Sequence, residues 1–165
     1  MKKIVVTLSI ITLLASGCGE LSTLKYNDAV VEKINSASDA LNKTISSYDG
    51  NIPDLVTEET EIDTTEMKTA WEDAKTAVEN CKALTTLVGK DQLQQAEVNA
   101  ELENYLSITE EYLSSYEKML TYYENDEYKD TPEKVSEYDA EIYEKSSLIF
   151  DSNNTLEDIL EKYVK

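Results

Sequence analysis

The sequence predicts an all-α protein: a four-helix, up-down bundle of unequal helices with coiled-coil-like heptad seams. Three observations lead there. Past the opening segment, apolar residues recur at three- and four-residue steps, the spacing that gathers side chains on one helix face. Helix breakers are scarce, with four glycines and two prolines in 165 residues, and they fall between the periodic runs. No alternating run of useful strand length intervenes. Helices with one apolar stripe need one another for burial, and short connections make consecutive helices antiparallel neighbours.

The first segment covers about 20–48, where Leu24, Val31, Ile34, Leu41, Ile45 and Tyr48 keep the period and Ser38 fills one register slot. Asp49 and Gly50 are expected to end it, glycine tolerating a left-handed cap. The stretch NIPDLVTEETEID follows as a connecting loop with Pro53 and a cluster of acids. The second segment opens at Asp63, whose side chain can cap the helix, with Glu66 three residues on as in a capping box. Met67, Trp71, Ala74, Val78, Cys81 and Val88 form its stripe, and Gly89 stops it.

The third segment spans about 91–125. Leu102, Leu106, Leu113, Tyr116, Leu120 and Tyr123 make its stripe, with Thr109 in register, and Tyr105, Tyr112 and Met119 widen it on one side. The run NDEYKD then breaks the pattern. The fourth segment is expected to start with Thr131 as cap and Pro132 at the first helical position, where a missing N–H costs nothing. Val135, Ile142, Ile149, Leu156 and Tyr163 follow, each seven apart. SNNT at 152–155 has loop propensity, but the seven-residue phase runs through it, so one long helix is expected. An extended, self-associating coiled coil is the alternative architecture.

The chain opens with Lys2, Lys3 and the apolar run IVVTLSIITLLA. A basic stretch before a short apolar one is the layout of a secretory signal, and the run is too short to span a bilayer, which takes about 20 apolar residues. Leu14 and Ala15, the end of that run, lead into Ser16, Gly17 and Cys18. They resemble the lipobox of bacterial lipoproteins. The resemblance implies cleavage after residue 17, lipidation of the Cys18 sulfur by diacylglycerol, and a single helical domain over 18–165 behind a short tether. Each buried methylene adds roughly 0.8 kcal/mol of membrane affinity, and stable anchoring needs about two chains. In Gram-negative lipoproteins an aspartate after the cysteine tends to retain the protein at the inner membrane; Gly19 stands there in this chain. The location implied is a cell membrane or outer membrane, facing away from the cytoplasm. The ending EKYVK resembles the C-terminus of the murein lipoproteins, whose last lysine is joined to peptidoglycan, so Lys165 is a candidate for wall attachment.

Composition narrows the chemistry. The net charge is −19, with 34 acidic residues against 15 basic ones, all of them lysine. Two of those lysines leave with the signal. Phosphate binding needs cationic surface, so nucleic acid is excluded as a partner, and an acidic body is repelled by anionic headgroups. Histidine is absent, which removes the commonest general base and metal ligand. No cofactor, metal or catalytic residue is expected.

The acids of the two loops, Glu58, Glu59, Glu61 and Asp63, then Glu124, Asp126, Glu127 and Asp130, read as solvated charge, because neither loop has spaced Ca²⁺ ligands around a central glycine. DSNNTLED at 151–158 fails the same test at Leu156. Cys81 lies on the apolar stripe and reads as a buried thiol, and Trp71 as core. Most tyrosines fit a bundle core. Tyr122 and Tyr128 leave the stripe and are the candidates for a contact surface, since tyrosine offers rigid area with a hydroxyl. The function expected is a lipid-anchored, non-enzymatic binding or adhesion module for an envelope or protein partner. The alternative is a structural spacer between membrane and wall, or a homo-oligomer.

Overall fold

The computed structural model describes residues 21–85 and 93–162. They form α1 (Leu21–Asn51), α2 (Thr65–Thr85), α3 (Leu93–Glu124), the single-turn α4 (Glu127–Asp130) and α5 (Lys134–Glu161). Among the described residues there is no strand, and no helix is long and apolar enough to cross a membrane. The expected signal segment, Cys18, Gly89 and Lys165 lie outside the described residues.

The helices pack against one another in a definite order. Late α2 meets early α1, where the Cys81 thiol donates to the Lys33 carbonyl at 3.2 Å, and early α2 meets late α1 through Asn51 and Glu66. Lys68 reaches Glu124 near the end of α3, while Lys82 meets Glu110 nearer the middle. Ser115 pairs with Glu141 of α5, and Ser152 with Glu101. Between α1 and α3 the sense is the same along both: Tyr26 reaches Asn99, and Thr44 reaches Tyr112.

α3 supplies the centre. Its buried residues Val98, Leu102, Tyr105, Thr109, Tyr112, Tyr116, Met119 and Tyr123 alternate four- and three-residue steps, the register of interlocking helices. The side widened by tyrosine and methionine is the deepest part of the stripe: Tyr105, Tyr112 and Met119 have no exposure, whereas Leu106 and Leu113 keep 6% and 7%. Opposite them α1 offers small side chains, with Ala37, Ser38, Thr44 and Ser47 all buried. Large rings on one helix thus fill space left by small residues on the other, which is how dense packing is reached without voids. α5 carries the expected stripe through Ile142, Ile149 and Leu156, all buried, and its helix runs unbroken through SNNT because Ser152 and Asn153 are buried with it.

Four local expectations change. Gly50 does not end α1: it is helical, among the described residues no glycine has a positive φ, and the Ile52 N–H still bonds the Tyr48 carbonyl at 2.9 Å. Pro53, which disfavours helical geometry in the residue before it, is what stops the helix. Only half of the capping box at α2 forms: Asp63 accepts the Thr65 N–H at 2.9 Å, but Glu66 turns to Asn51. The run NDEYKD is not a plain loop, since Asp126 takes a left-handed φ of 58° and α4 follows. Thr131 does not cap the last helix; its hydroxyl bonds back to the Glu127 carbonyl, and α5 begins at Lys134, after Pro132.

Candidate functional site

Tyr122 and Tyr128, expected at a contact surface, are core residues, each 1% exposed. The left-handed turn at Asp126 folds α4 back so that the Tyr128 ring lies 6.5 Å from Tyr122 and 5.7 Å from Tyr123, centroid to centroid. Tyr138 of α5 closes the cluster at 5.0 Å from Tyr122. Edge-to-face and tilted contacts at these distances suit the quadrupoles of the rings. The hydroxyls reach the rim, where Tyr122 donates to the Thr131 carbonyl at 2.7 Å and Tyr128 to the Thr60 carbonyl at 2.8 Å. The period of α3 leaves Tyr122 off its stripe, and Tyr128 lies beyond it on α4; the cover comes from the α4 turn, from α5 and from the loop at Thr60.

The bond to Thr60 draws the α1–α2 loop over α4 and brings the two acidic clusters together. Lys129 lies 2.9 Å from Asp126 and 3.8 Å from Glu61, and Lys68 2.8 Å from Glu124. These are exposed pairs of small energetic worth. The Asp63 carboxyl is held below its usual range by the Thr65 hydrogen bonds, and Asp126 by Lys129. Among the described residues no group of three or more acids or cysteines is placed to hold a metal ion.

Inside, several of the polar groups pair with one another. Thr44 Oγ1 and the Tyr112 hydroxyl are 2.6 Å apart, the Tyr116 hydroxyl donates to the Thr44 carbonyl at 2.9 Å, and Ser47 bonds the same carbonyl at 2.9 Å. Tyr48 bonds Asp139, and Tyr143 bonds Asp49, tying α1 to α5 in both directions. Burial drives the tyrosine hydroxyls of positions 105, 112, 116 and 123 well above the ordinary range. It pushes the Cys81 thiol up to about 12, against a slight lowering by Lys33. A thiol held neutral is neither a nucleophile nor a metal ligand, so Cys81 acts as the small buried group expected of it.

Trp71 departs from its expected place in the core. It is only partly buried and lines a surface groove of about 200 Å³ between α2 and α3. Its indole N–H donates to the Leu113 carbonyl at 3.0 Å, which fixes the ring. The Lys75 ammonium stands over that ring, 4.9 Å from its centroid. Val78 and Leu113 complete the apolar lining, and Ser114 with Glu79, Glu110 and Glu117 supply polar groups. Lys82 also lines the groove; its ammonium is held by Glu110 and by Glu79, the latter at 2.9 Å, and these partners raise its pKa. The sequence held one clue, a lysine four residues after the only tryptophan, a spacing that brings both onto one helical face. No protein-family model, curated protein or solved structure matches the chain.

Proposed function

We propose that the protein is a lipid-anchored, acidic helical module displayed outside the cytoplasm of a bacterial cell, where it holds a protein or other envelope partner without catalysing a reaction. The observation that carries this reading is the sequence at 14–18, Leu14 followed by three small residues and Cys18, at the end of a basic and apolar leader. The body is a single four-helix, up-down bundle formed by α1, α2, α3 and α5, with α4 as a folded connection. In its favour are the opposed pairings of consecutive helices, Cys81 with Lys33 and Asn51 with Glu66. Among the described residues most positions of the seams that a self-associating coiled coil would use are buried within one chain, which favours display over oligomeric assembly.

Labelling cells that express the full chain with a fatty-acid analogue tests the anchor. The native protein should carry label and partition with membranes, and Cys18→Ala should lose the label and accumulate with its leader. Mass spectrometry finding an unmodified Cys18 in the membrane-associated native protein would refute the reading.

A further inference from the structure

The groove holds three features that together describe a ligand. Its aromatic surface belongs to a tryptophan held in place by the Leu113 carbonyl, so the indole needs no reordering on binding. A cation already rests on that face, and it is the flexible end of an exposed lysine from the same helix. The electrostatic attraction between an ammonium and an indole face is worth about 0.5–1 kcal/mol at an exposed site, weak enough for an incoming cation to displace it. Beside it stand acids at two levels of engagement. Glu110 is committed to Lys82, whereas the Glu117 carboxylate has no hydrogen bond or ion pair among the described residues. Glu110 and Glu117 are seven residues apart and share one face of α3. The whole chain, at −19, attracts basic partners to that face.

We propose that the groove between α2 and α3 docks a cationic side chain from a basic segment of a partner protein, with Lys75 as the resident cation that it displaces. The aliphatic stem of the incoming lysine or arginine lies on Trp71, and its charged head meets Glu117. This deepens the display reading and rests on it, by naming the surface displayed and the chemistry of what it holds.

Trp71 is the only tryptophan in the chain, so the fluorescence of the full-length protein in nonionic detergent, excited where tyrosine does not absorb, reports on this groove alone. Titration with a hexa-arginine peptide should give a saturable change in emission, and hexa-glutamate none. Lys75→Gln should tighten binding roughly three-fold by freeing the ring. Lys43→Gln makes the same change of net charge at an exposed position of α1 and should leave the midpoint unchanged. Glu117→Gln should weaken binding at least about three-fold, with Glu58→Gln, in the distant loop, near neutral. An emission that does not respond to hexa-arginine, or equal effects of Lys75→Gln and Lys43→Gln, would overturn the proposal by leaving only diffuse attraction. Fatty-acid labelling of the same preparation separates the outcomes: a labelled protein with an unresponsive groove loses this inference and keeps the anchor.

Discussion

Thr44 is the residue on which the polar contacts of α1 and α3 converge. Its hydroxyl meets Tyr112 and its carbonyl accepts from Tyr116 and Ser47, all buried. Thr44→Val keeps the shape but strands the Tyr112 hydroxyl, and an orphaned buried polar group costs about 1–3 kcal/mol. Urea denaturation should show that loss, and the double variant Thr44→Val with Tyr112→Phe should recover much of it, since both partners are then apolar. A double variant as unstable as the sum of the singles would mean the two hydroxyls are not coupled. Tyr128 is argued the same way. Tyr128→Phe loses one hydrogen bond to Thr60, about 1 kcal/mol, whereas Tyr128→Ala empties a site between Tyr122 and Tyr123 and should cost about 3–5 kcal/mol. If Tyr128→Ala falls within about 0.5 kcal/mol of the parent, as a surface substitution does, the ring is not in the core.

At the scale of the element, the end of α1 gives the sharpest test. Gly50 is helical, and a Cβ built on it meets nothing within 4 Å. Gly50→Ala should therefore stabilise the protein by about 0.5–1 kcal/mol, through lower chain entropy in the unfolded state. Were Gly50 a left-handed cap, as its sequence context suggests, the same change would destabilise, so the sign of the shift in thermal midpoint decides between the two. The contrast shows what was legible. Periodicity identified the four long helices and most of their buried faces, because a face repeats locally every three or four residues. Which side of α3 lies deepest was not legible: Tyr105 and Tyr112 are placed by the small residues of α1, far away in sequence. Nor was the fate of Tyr122 and Tyr128, which depends on the left-handed Asp126 and on a loop carbonyl at Thr60. The groove was half legible. Trp71 and Lys75 show their shared face in sequence, but Glu110, Leu113 and Glu117 join them only when α3 packs on α2.

For the whole molecule, the feature with the widest consequence is a core built from tyrosine. Each buried hydroxyl, and the thiol of Cys81, is an acid whose protonated form the fold favours. Burial takes Tyr26 from 10.0 to about 12 and Cys81 from 9.0 to about 12, and Tyr105, Tyr112, Tyr116 and Tyr123 move further up. A folded pKa raised above the unfolded one means that the native state binds more protons over the interval between them, so stability falls as pH rises through it. The stabilisation is complete below about pH 9, the unfolded value for the thiol, and drains away above it, fastest once the tyrosines of the unfolded chain ionise near pH 10. Urea midpoints should therefore drop steeply between about pH 9 and about pH 11. Loss of lysine charge over the same range makes an acidic chain still more repulsive, and added salt screens that contribution while leaving the buried groups unscreened. Tyrosinate absorbance distinguishes the two. A closed core holds the titration back to a cooperative step that coincides with loss of helical circular dichroism, because the buried hydroxyls ionise only when the bundle opens. A smooth titration of all eleven tyrosines near pH 10 with the helices intact would contradict a water-excluding core and, with it, the packing of α3 against α1.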